Sequence, residues 1–360
     1  MLQARTKKAS QPRIRTTSRV IVSGTGSALP PIEVTNEMLC RYYPISQETI
    51  ENRIGILSRR SAFDFERGEL IDGYHDDDLA EMAAKQALAA AHIQPSELDL
   101  IVRVTCTPEY LFFPDSACVL HGRLGAKTDC AAFTVPTGCG GLVYMIYNVA
   151  GQISGNSVRK ALIVASNSVS PYIRLSPLSR LKRDALNTAF FADGASAIVM
   201  EGVEGSGRGA RGVIGGYWGA NPVDNPVVFP AGGSRNPTSA ENIEMHYYKM
   251  DPKKVLDYAV PLMAQSFRKL QERYPFHIED IDHFLFHQAN PKIVEGVRDM
   301  LGLPLGKVPM NVQHRGNTSA ASIGILMDEE IKSGRIREGQ LLVLVGVGAG
   351  WQMGSLLIRL

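Results

Sequence analysis

The chain has 360 residues, 44% of them hydrophobic, and a formal net charge of +2. This length allows one large domain or two similar ones, and the composition suits a well-buried α/β protein. The small net charge, without interleaved basic and aromatic residues, argues against nucleic-acid binding. No apolar run reaches the roughly 20 residues of a membrane helix, so we expect no membrane insertion.

The five cysteines indicate the compartment. They stand at positions 40, 106, 118, 130 and 139, an odd number without CxxC spacing. Neither a disulfide framework nor a metal site is therefore expected, and a reducing cytoplasm fits best. All of them except Cys139 are expected to be small buried residues.

The N-terminal segment, residues 1–18, is basic, and the first acidic residue of the chain is Glu33. We expect a disordered tail here. An organelle transit peptide and a basic arm for an acidic partner are the alternatives. A secretory signal is not expected, because the segment lacks an apolar core.

The first predicted elements are a strand at 19–23 and a glycine turn at 24–27. Pro30 and Pro31 follow, and they exclude the helix that a dinucleotide-binding fingerprint requires after its glycines.

Three consecutive aspartates at 76–78 lead into an alanine-rich run over 79–92. They predict the first turn of a helix and not a metal site, because adjacent residues rarely face one ion. A buried strand is predicted at 98–105.

Cys139 is the candidate nucleophile. It lies in Val-Pro-Thr-Gly-Cys-Gly-Gly at 135–141, between an apolar run at 131–135 and a helix-like run at 142–153. This order predicts a strand, a tight turn and a helix, with glycines that leave the thiol open to approach. The positive end of the helix dipole would favour the thiolate, which attacks acyl groups.

A weak internal repeat divides the chain. The turn at Cys139 precedes a helix and a strand at 161–166, and the turn at Asn317 precedes a helix and a strand at 341–346. A pseudo-two-fold packing of two such halves would bring the N-termini of both helices together.

The glycine-rich residues 201–211 predict the junction between the halves. We therefore expect an N-terminal half over 19–203 and a C-terminal half over 204–360. Residues 221–239 are rich in proline, glycine and asparagine, and they predict an irregular loop over the surface or the cleft.

His287 is the best candidate for a proton acceptor. It ends the apolar run 284–286 and opens a loop before a predicted helix at 292–301, where a histidine can face a cleft. His314, which is close to Asn317, is the main rival.

Two groups are candidates for stabilising an oxyanion. The amide of Asn317 can donate hydrogen bonds to a developing negative charge. Backbone N–H groups can form a second hole, and the candidates for it are Cys139, Gly348, Ala349 and Gly350.

These motifs together resemble the β-ketoacyl-[acyl-carrier-protein] synthase III-like condensing enzymes of the thiolase superfamily, over residues 20–360. The resemblance rests on the following segments: Gly138-Cys139-Gly140-Gly141, Ala192-Asp193-Gly194-Ala195, Phe286-His287-Gln288-Ala289-Asn290, Gly316-Asn317-Thr318-Ser319-Ala320-Ala321-Ser322 and Gly348-Ala349-Gly350. It implies an α/β thiolase fold of two similar βαβαβαββ-type halves in a five-layered αβαβα arrangement.

The resemblance also implies a catalytic triad of Cys139, His287 and Asn317. It implies a homodimer in which Phe113 reaches the acyl pocket of the partner. It implies no cofactor, since the substrates arrive on the phosphopantetheine of an acyl carrier protein or of coenzyme A.

The carrier-binding positions depart in part from the family pattern. Arg53 matches, but Thr49 stands where a tryptophan would stack on adenine, and a second family arginine falls near Ala185. An acyl carrier protein is therefore the expected partner. The expected contacts with its phosphopantetheine arm or with coenzyme A are Arg53, Gln288, Lys292 and Arg298.

The leading hypothesis is a Claisen condensation between an acyl group on Cys139 and a malonyl or β-ketoacyl thioester, in polyketide or specialised lipid biosynthesis. The alternatives are fatty-acid initiation from acyl-CoA and acyl transfer to a hydroxyl or an amine. A non-catalytic partner subunit is disfavoured, because the chain retains all three triad residues.

Overall fold

The computed structural model describes residues 19–111, 113–173, 187–204, 211–221, 227–228, 232–246 and 248–360. The predicted tail at 1–18, Ala185 and part of the loop at 221–239 lie outside these residues.

The described helices and strands follow the predicted order. The α-helices are α1 (Asn36–Tyr42), α2 (Gln47–Arg53), α3 (Asp76–Ala91), α4 (Ser116–Leu124), α5 (Gly141–Ser154), α6 (Ser170–Ile173), α7 (Pro252–Arg273), α8 (Pro291–Leu301), α9 (Val312–Arg315) and α10 (Ser322–Lys332). The strands are β1 (Arg19–Ala28), β2 (Ile32–Thr35), β3 (Ser58–Ser61), β4 (Phe63–Asp64), β5 (Glu69–Leu70), β6 (Leu100–Val104), β7 (Ala131–Val135), β8 (Lys160–Asn167), β9 (Gly194–Val203), β10 (Gly212–Ala220), β11 (Val227–Val228), β12 (Lys249–Met250), β13 (His283–Phe286), β14 (Leu341–Val347) and β15 (Gln352–Arg359).

Two mixed sheets repeat one topology. The first has the strand order β1-β9-β8-β6-β7, and the second has the order β10-β15-β14-β13. In both sheets two antiparallel pairings are followed by a parallel one. The predicted pair of similar halves is thus confirmed, except that the described part of the second half has no counterpart of β7.

The predicted boundary at 203/204 falls between β9, which belongs to the first sheet, and β10, which belongs to the second.

Apolar packing arranges the sheets and helices in five layers. One core cluster joins the facing sides of both sheets through α5 and α10. A second cluster packs α7 and α8 on the outer face of the second sheet, and a third packs α3 and α4 on the outer face of the first. Burial of these apolar faces drives the arrangement, and the αβαβα expectation is confirmed.

The predicted turn at 24–27 is wrong, because β1 continues to Ala28. Its glycines serve close packing instead. A Cβ on Gly24 would lie 2.3 Å from the carbonyl oxygen of Ala87, and one on Gly26 would lie 2.3 Å from that of Ala83. The missing side chains allow α3 to press directly on the strand.

The three aspartates begin α3, as predicted, but two of them do more than stabilise the helix end. Asp78 Oδ2 accepts from the backbone N–H of His75 at 3.1 Å, which completes a capping box. Asp76 and Asp77 are buried, and they accept from the guanidinium of Arg103 at 2.6 and 2.9 Å. This buried ion cluster ties α3 to β6.

The expectation that the other cysteines are buried is mostly wrong. Cys130 is buried, Cys40 and Cys106 are half-buried, and Cys118 is exposed. Among the described residues, no helix combines the length and the apolarity that crossing a membrane requires.

Candidate active site

A cavity of about 200 Å³ has Cys139 in its wall. Two larger cavities, of about 360 and 600 Å³, do not include that residue. The described wall is mostly apolar, which suits an acyl group. Its residues are Cys106, Thr107, Pro136, Thr137, Gly138, Cys139, Asn167, Val169, Phe191, Val227, Val228, Tyr248, Ser319, Ala349, Gly350 and Gln352.

The turn between β7 and α5 holds Cys139 in place through its glycines. A Cβ on Gly141 would lie 2.1 Å from Thr137 Oγ1 and 2.6 Å from Val104 Cγ1. One on Gly140 would lie 3.3 Å from the backbone nitrogen of Gly348. The turn therefore packs backbone against backbone, and side chains larger than hydrogen would displace the thiol.

The resting state of Cys139 differs from the sequence prediction. Burial raises the pKa of its thiol, and the nearby Ser319 hydroxyl and the backbone N–H of Cys139 itself offset this only in part. A thiol, and not the expected thiolate, is therefore the resting form. Desolvation of the buried sulfur is the largest cause of this rise.

His287 is held at the end of β13 by two hydrogen bonds. Its backbone N–H donates to the carbonyl of Val345 at 2.8 Å, and its Nδ1 lies 2.7 Å from Ser322 Oγ. The backbone N–H of Gln288 also donates to that serine oxygen, at 3.3 Å. The serine proton is thus free to point at Nδ1, which leaves the imidazole proton on Nε2.

Burial also decides the charge of His287. The residue is 2% exposed, and desolvation lowers the pKa of its imidazole to about 3. The ring is therefore neutral at physiological pH, and Nε2–H is a neutral hydrogen-bond donor.

Asn317 is fixed by its neighbours in the same segment. Its Oδ1 accepts from the backbone N–H of Ser319 at 2.9 Å, so its Nδ2 is the end left to donate. Its backbone N–H donates to the carbonyl of Phe190 at 3.0 Å, and its carbonyl accepts from Ala192 at 3.0 Å. Phe191, between these two residues, lines the cavity.

One short segment connects the three predicted groups. Ser319 Oγ lies 3.5 Å from Cys139 Sγ, its own N–H bonds Asn317, and Ser322 at the start of α10 bonds His287. His287 and Asn317 are buried and are not among the described wall residues of the cavity.

Sequence reasoning gave no role to Ser319 or Ser322. Both are small hydroxyl residues of the Asn317 motif, which was the only available signal. Ser319 has a φ of 50°, in the left-handed region that non-glycine residues seldom adopt. Such strained residues cluster at functional sites.

The rival histidine is placed elsewhere. His314 is an exposed residue of the short helix α9, and its backbone carbonyl accepts from Ser58 Oγ at 3.4 Å. An exposed side chain on this helix cannot serve the cavity.

One of the four candidate donors to an oxyanion already has an acceptor within the chain. The backbone N–H of Gly348 donates to the carbonyl of Gln352 at 2.8 Å, which closes the turn between β14 and β15 and removes this donor. No described backbone carbonyl accepts from the N–H of Cys139 or of Ala349. Ala349 and Gly350 both line the cavity.

Two of the four expected carrier contacts have partners within the chain. Gln288 is fully buried, its amide nitrogen donates to the Phe286 carbonyl at 2.8 Å, and its amide oxygen accepts from Asn311 N at 3.2 Å. Arg298 lies in the last turn of α8 and forms an ion pair with Asp299 at 2.7 Å. Gln288 is therefore part of the interior of the fold, and a carrier contact of Arg298 stays a prediction.

The other two contacts adjoin each other at the surface. Arg53 ends α2. Lys292 Nζ donates to the backbone carbonyl of Asn52, the residue just before Arg53. The two cations therefore form one exposed basic patch. Phe113, the expected interface residue, is 88% exposed.

Comparisons with known proteins agree with this geometry. Residues 133–217 match the family profile of 3-oxoacyl-[acyl-carrier-protein (ACP)] synthase III, and residues 272–360 match the profile of its C-terminal part. The beta-ketoacyl-[acyl-carrier-protein] synthase III of Caldanaerobacter subterraneus subsp. tengcongensis is 35% identical over 341 residues, which are 94% of this chain and 97% of the relative.

Solved structures show the same likeness. The 3-oxoacyl-(acyl carrier protein) synthase III of Pseudomonas aeruginosa PAO1 aligns with a TM-score of 0.81 and 31% identity, over 95% of this chain and 98% of that one. The priming β-ketosynthase of the R1128 polyketide pathway shares the fold, with a TM-score of 0.81 and 24% identity over 97% of this chain and 99% of that one.

Fold and similarity together define a condensing acyltransferase with the thiolase fold. The chain belongs to the 3-oxoacyl-[acyl-carrier-protein] synthase III family.

Proposed function

We propose that this enzyme joins an acyl group held on Cys139 to a malonyl or β-ketoacyl thioester on a carrier protein, in polyketide or specialised lipid biosynthesis. The observation that carries the proposal is the segment 317–322, which links the cavity at Cys139 to both Asn317 and His287. A nucleophile and two neutral donors around one small cavity suit thioester chemistry.

In the first step, the sulfur of Cys139 attacks the thioester carbonyl. The new carbon–sulfur bond forms, the bond to the donor sulfur breaks, and the thiol proton leaves with the donor thiol. The N–H groups of Cys139 and Ala349 are the proposed donors to the oxyanion of the tetrahedral intermediate.

In the second step, a malonyl thioester loses carbon dioxide. The electron pair of the broken carbon–carbon bond moves into an enolate, whose oxygen would accept from Nε2–H of His287 and Nδ2–H of Asn317. The enolate carbon then attacks the acyl-cysteine, and the sulfur leaves and recovers a proton. A neutral imidazole suits this donation, because it carries a proton for the enolate oxygen without holding the malonyl carboxylate in an ion pair.

Thr49 supports a carrier protein as the donor. Its hydroxyl lies 2.8 Å from Ser46 Oγ and its N–H donates to the same oxygen at 3.2 Å, so Ser46 caps α2 and Thr49 is held in the first turn of that helix. A threonine in this position offers no flat surface for adenine. The basic patch of Arg53 and Lys292 suits an acidic carrier.

Fatty-acid initiation from acyl-CoA is the second candidate. It is favoured by the curated relative, which is 35% identical across nearly the whole chain and bears the β-ketoacyl synthase III name.

We infer a homodimer as the working form. Tyr110, Leu111 and Phe113 are 49%, 58% and 88% exposed on one loop, and the edge strand β7 exposes Phe133 at 37%. Apolar side chains of this size, beside an unpaired sheet edge, suit a second copy of the chain. We also place the enzyme in the cytoplasm, which the five unpaired cysteines support.

Intact-mass measurement tests the proposed reaction. The enzyme is incubated with hexanoyl-CoA or with hexanoyl carrier protein, and then with malonyl carrier protein. We expect a mass gain of one acyl group, in a larger fraction of the enzyme with the carrier donor than with hexanoyl-CoA. The acyl group should be lost only when the malonyl substrate is added, and a β-ketoacyl product should then form.

Two variants control the assignment of the acyl site. Cys139→Ala should gain no mass, while Cys118→Ala, which removes an exposed thiol, should load like the parent. A gain that survives Cys139→Ala contradicts the mechanism, and discharge onto a hydroxyl or an amine without malonyl substrate supports the other transferase class.

A further inference from the structure

A second thiol shares the cavity with the proposed nucleophile. Cys106 follows β6 and Cys139 follows β7, and these parallel strands are neighbours, with Val104 opposite Val135. The carboxyl ends of adjacent parallel strands meet at one edge of the sheet. Both cysteines accordingly line the same wall, and none of the other three cysteines does.

One hydroxyl is close to both sulfurs. Ser319 Oγ is 3.5 Å from Cys139 Sγ, and the same hydroxyl is near enough to Cys106 to act against the rise in the pKa of that thiol. Negative charge on Cys139 would in turn raise the pKa of Cys106, which places the sulfurs within electrostatic reach.

Cys106 has no role in the proposed condensation. Burial raises the pKa of its thiol to about 12, so it stays protonated, and its sulfur donates to Asn167 Oδ1 at 3.4 Å. It is therefore a poor nucleophile at rest, but it is a thiol held beside the reactive one.

We propose that Cys106 is a resolving thiol, which converts peroxide-oxidised Cys139 into a reversible Cys106–Cys139 disulfide. In the first step the Cys139 sulfur attacks the peroxide, the oxygen–oxygen bond breaks, and a sulfenic acid and an alcohol or water form. In the second step the Cys106 sulfur attacks the sulfenic sulfur, which is reduced as the disulfide forms. The Cys106 proton leaves with the displaced hydroxide as water.

The position of Cys106 explains why this reaction would compete with overoxidation. A thiol tethered in the same cavity reacts at a high effective concentration, whereas a second peroxide must diffuse in. The disulfide uses the sulfur that accepts acyl groups, so it would stop the proposed condensation until a dithiol reduced it.

Peptide mapping after peroxide treatment tests the proposal. The whole chain is treated with hydrogen peroxide, blocked with iodoacetamide and digested. We expect one cross-linked pair of peptides that contain Cys106 and Cys139, a parallel loss of acyl loading, and recovery of both after dithiothreitol.

Two variants and one probe sharpen the test. Cys106→Ser should form no cross-link, and it should accumulate sulfinic acid at Cys139 that dithiothreitol cannot reverse. Cys118→Ser should behave like the parent. Phenylarsine oxide bridges thiols that lie close together, so it tests the proximity of the two cysteines without a variant. One molecule should bind each chain of the untreated parent and protect both Cys106 and Cys139 from iodoacetamide.

Sulfinic acid at Cys139 in the parent, with Cys106 still a thiol, would overturn the inference. So would a cross-link from Cys139 to any other cysteine. Only the effect on loading rests on the proposed function. A disulfide in a chain that never takes an acyl group would refute the proposed function and leave this inference standing.

Discussion

His287 shows what sequence can and cannot supply for a single residue. Its place at the end of an apolar strand predicted a histidine that faces a cleft, and the strand ends one residue before it. Its partner Ser322 lies on a helix of a different layer, 2.7 Å from Nδ1. That distance depends on how the helix packs, which no local pattern encodes.

We predict that His287 makes folding sensitive to acid. The unfolded imidazole has its ordinary pKa of about 6.5, and the folded one titrates at about 3. The unfolded state therefore binds the proton first, and the stability that neutral His287 permits is present above pH 6.5 and is lost as the pH falls toward 3.

Urea unfolding of the parent and of His287→Gln between pH 4 and pH 7 measures this. On acidification from pH 7 to pH 4, the unfolding free energy of the parent should fall by roughly 3 kcal/mol more than that of the variant. Burial raises the pKa of Asp76 to about 6, which acts in the opposite direction, but that residue is present in both proteins and cancels. Parallel curves for the two proteins would contradict the prediction.

Among the elements, strands and helices were predicted where apolar period and end signals agree. The helix after Cys139 and the strand before it match the structure to within a residue. Glycines were the ambiguous signal. Those at 24 and 26 allow a helix to approach a strand, whereas Gly141 begins a helix beneath Thr137. The same residue type serves both purposes, and only the neighbours in space separate them.

The turn that holds Cys139 should be intolerant of a single methyl group. In Gly141→Ala the new Cβ would overlap Thr137 Oγ1 and Val104 Cγ1, at 2.1 and 2.6 Å. We expect a loss of about 1 to 3 kcal/mol in unfolding free energy, the range for overpacked cores, together with slower acyl loading.

Gly151→Ala, in the same helix, is the matched control. Apart from its chain neighbours and the backbone of its own helix, no atom lies within 4 Å of the position that its methyl group would take. Alanine should therefore stabilise α5 by up to about 1 kcal/mol through helix propensity. Denaturant unfolding compares the two variants. Equal stability of Gly141→Ala and the parent would show that the turn has room to relax.

At the scale of the whole molecule, the internal repeat and the family motifs were enough to predict two halves and five layers. They did not predict that the second sheet has four described strands and the first has five. Nor did they locate the buried cluster of Arg103, Asp76 and Asp77, because charged residues on a strand and a helix normally indicate exposed faces.

The exposed edge of the larger sheet leads to a prediction about assembly. If two copies meet there, light scattering should give the mass of a dimer, and Phe133→Lys should shift the population toward monomer. Leu305→Lys, which changes a side chain 69% exposed on the other half, should leave the dimer intact. A parent protein with the mass of one chain would end the dimer proposal.

The two central helices, α5 and α10, both join the sheets and position the proposed catalytic residues. α5 begins beside Cys139 and α10 begins shortly after Asn317, and both pack in the core that joins the two sheets. A small shift of one sheet relative to the other would move the sulfur away from the imidazole and the carboxamide, while each sheet kept its own hydrogen bonds. Activity would then be lost before spectroscopy detected any unfolding.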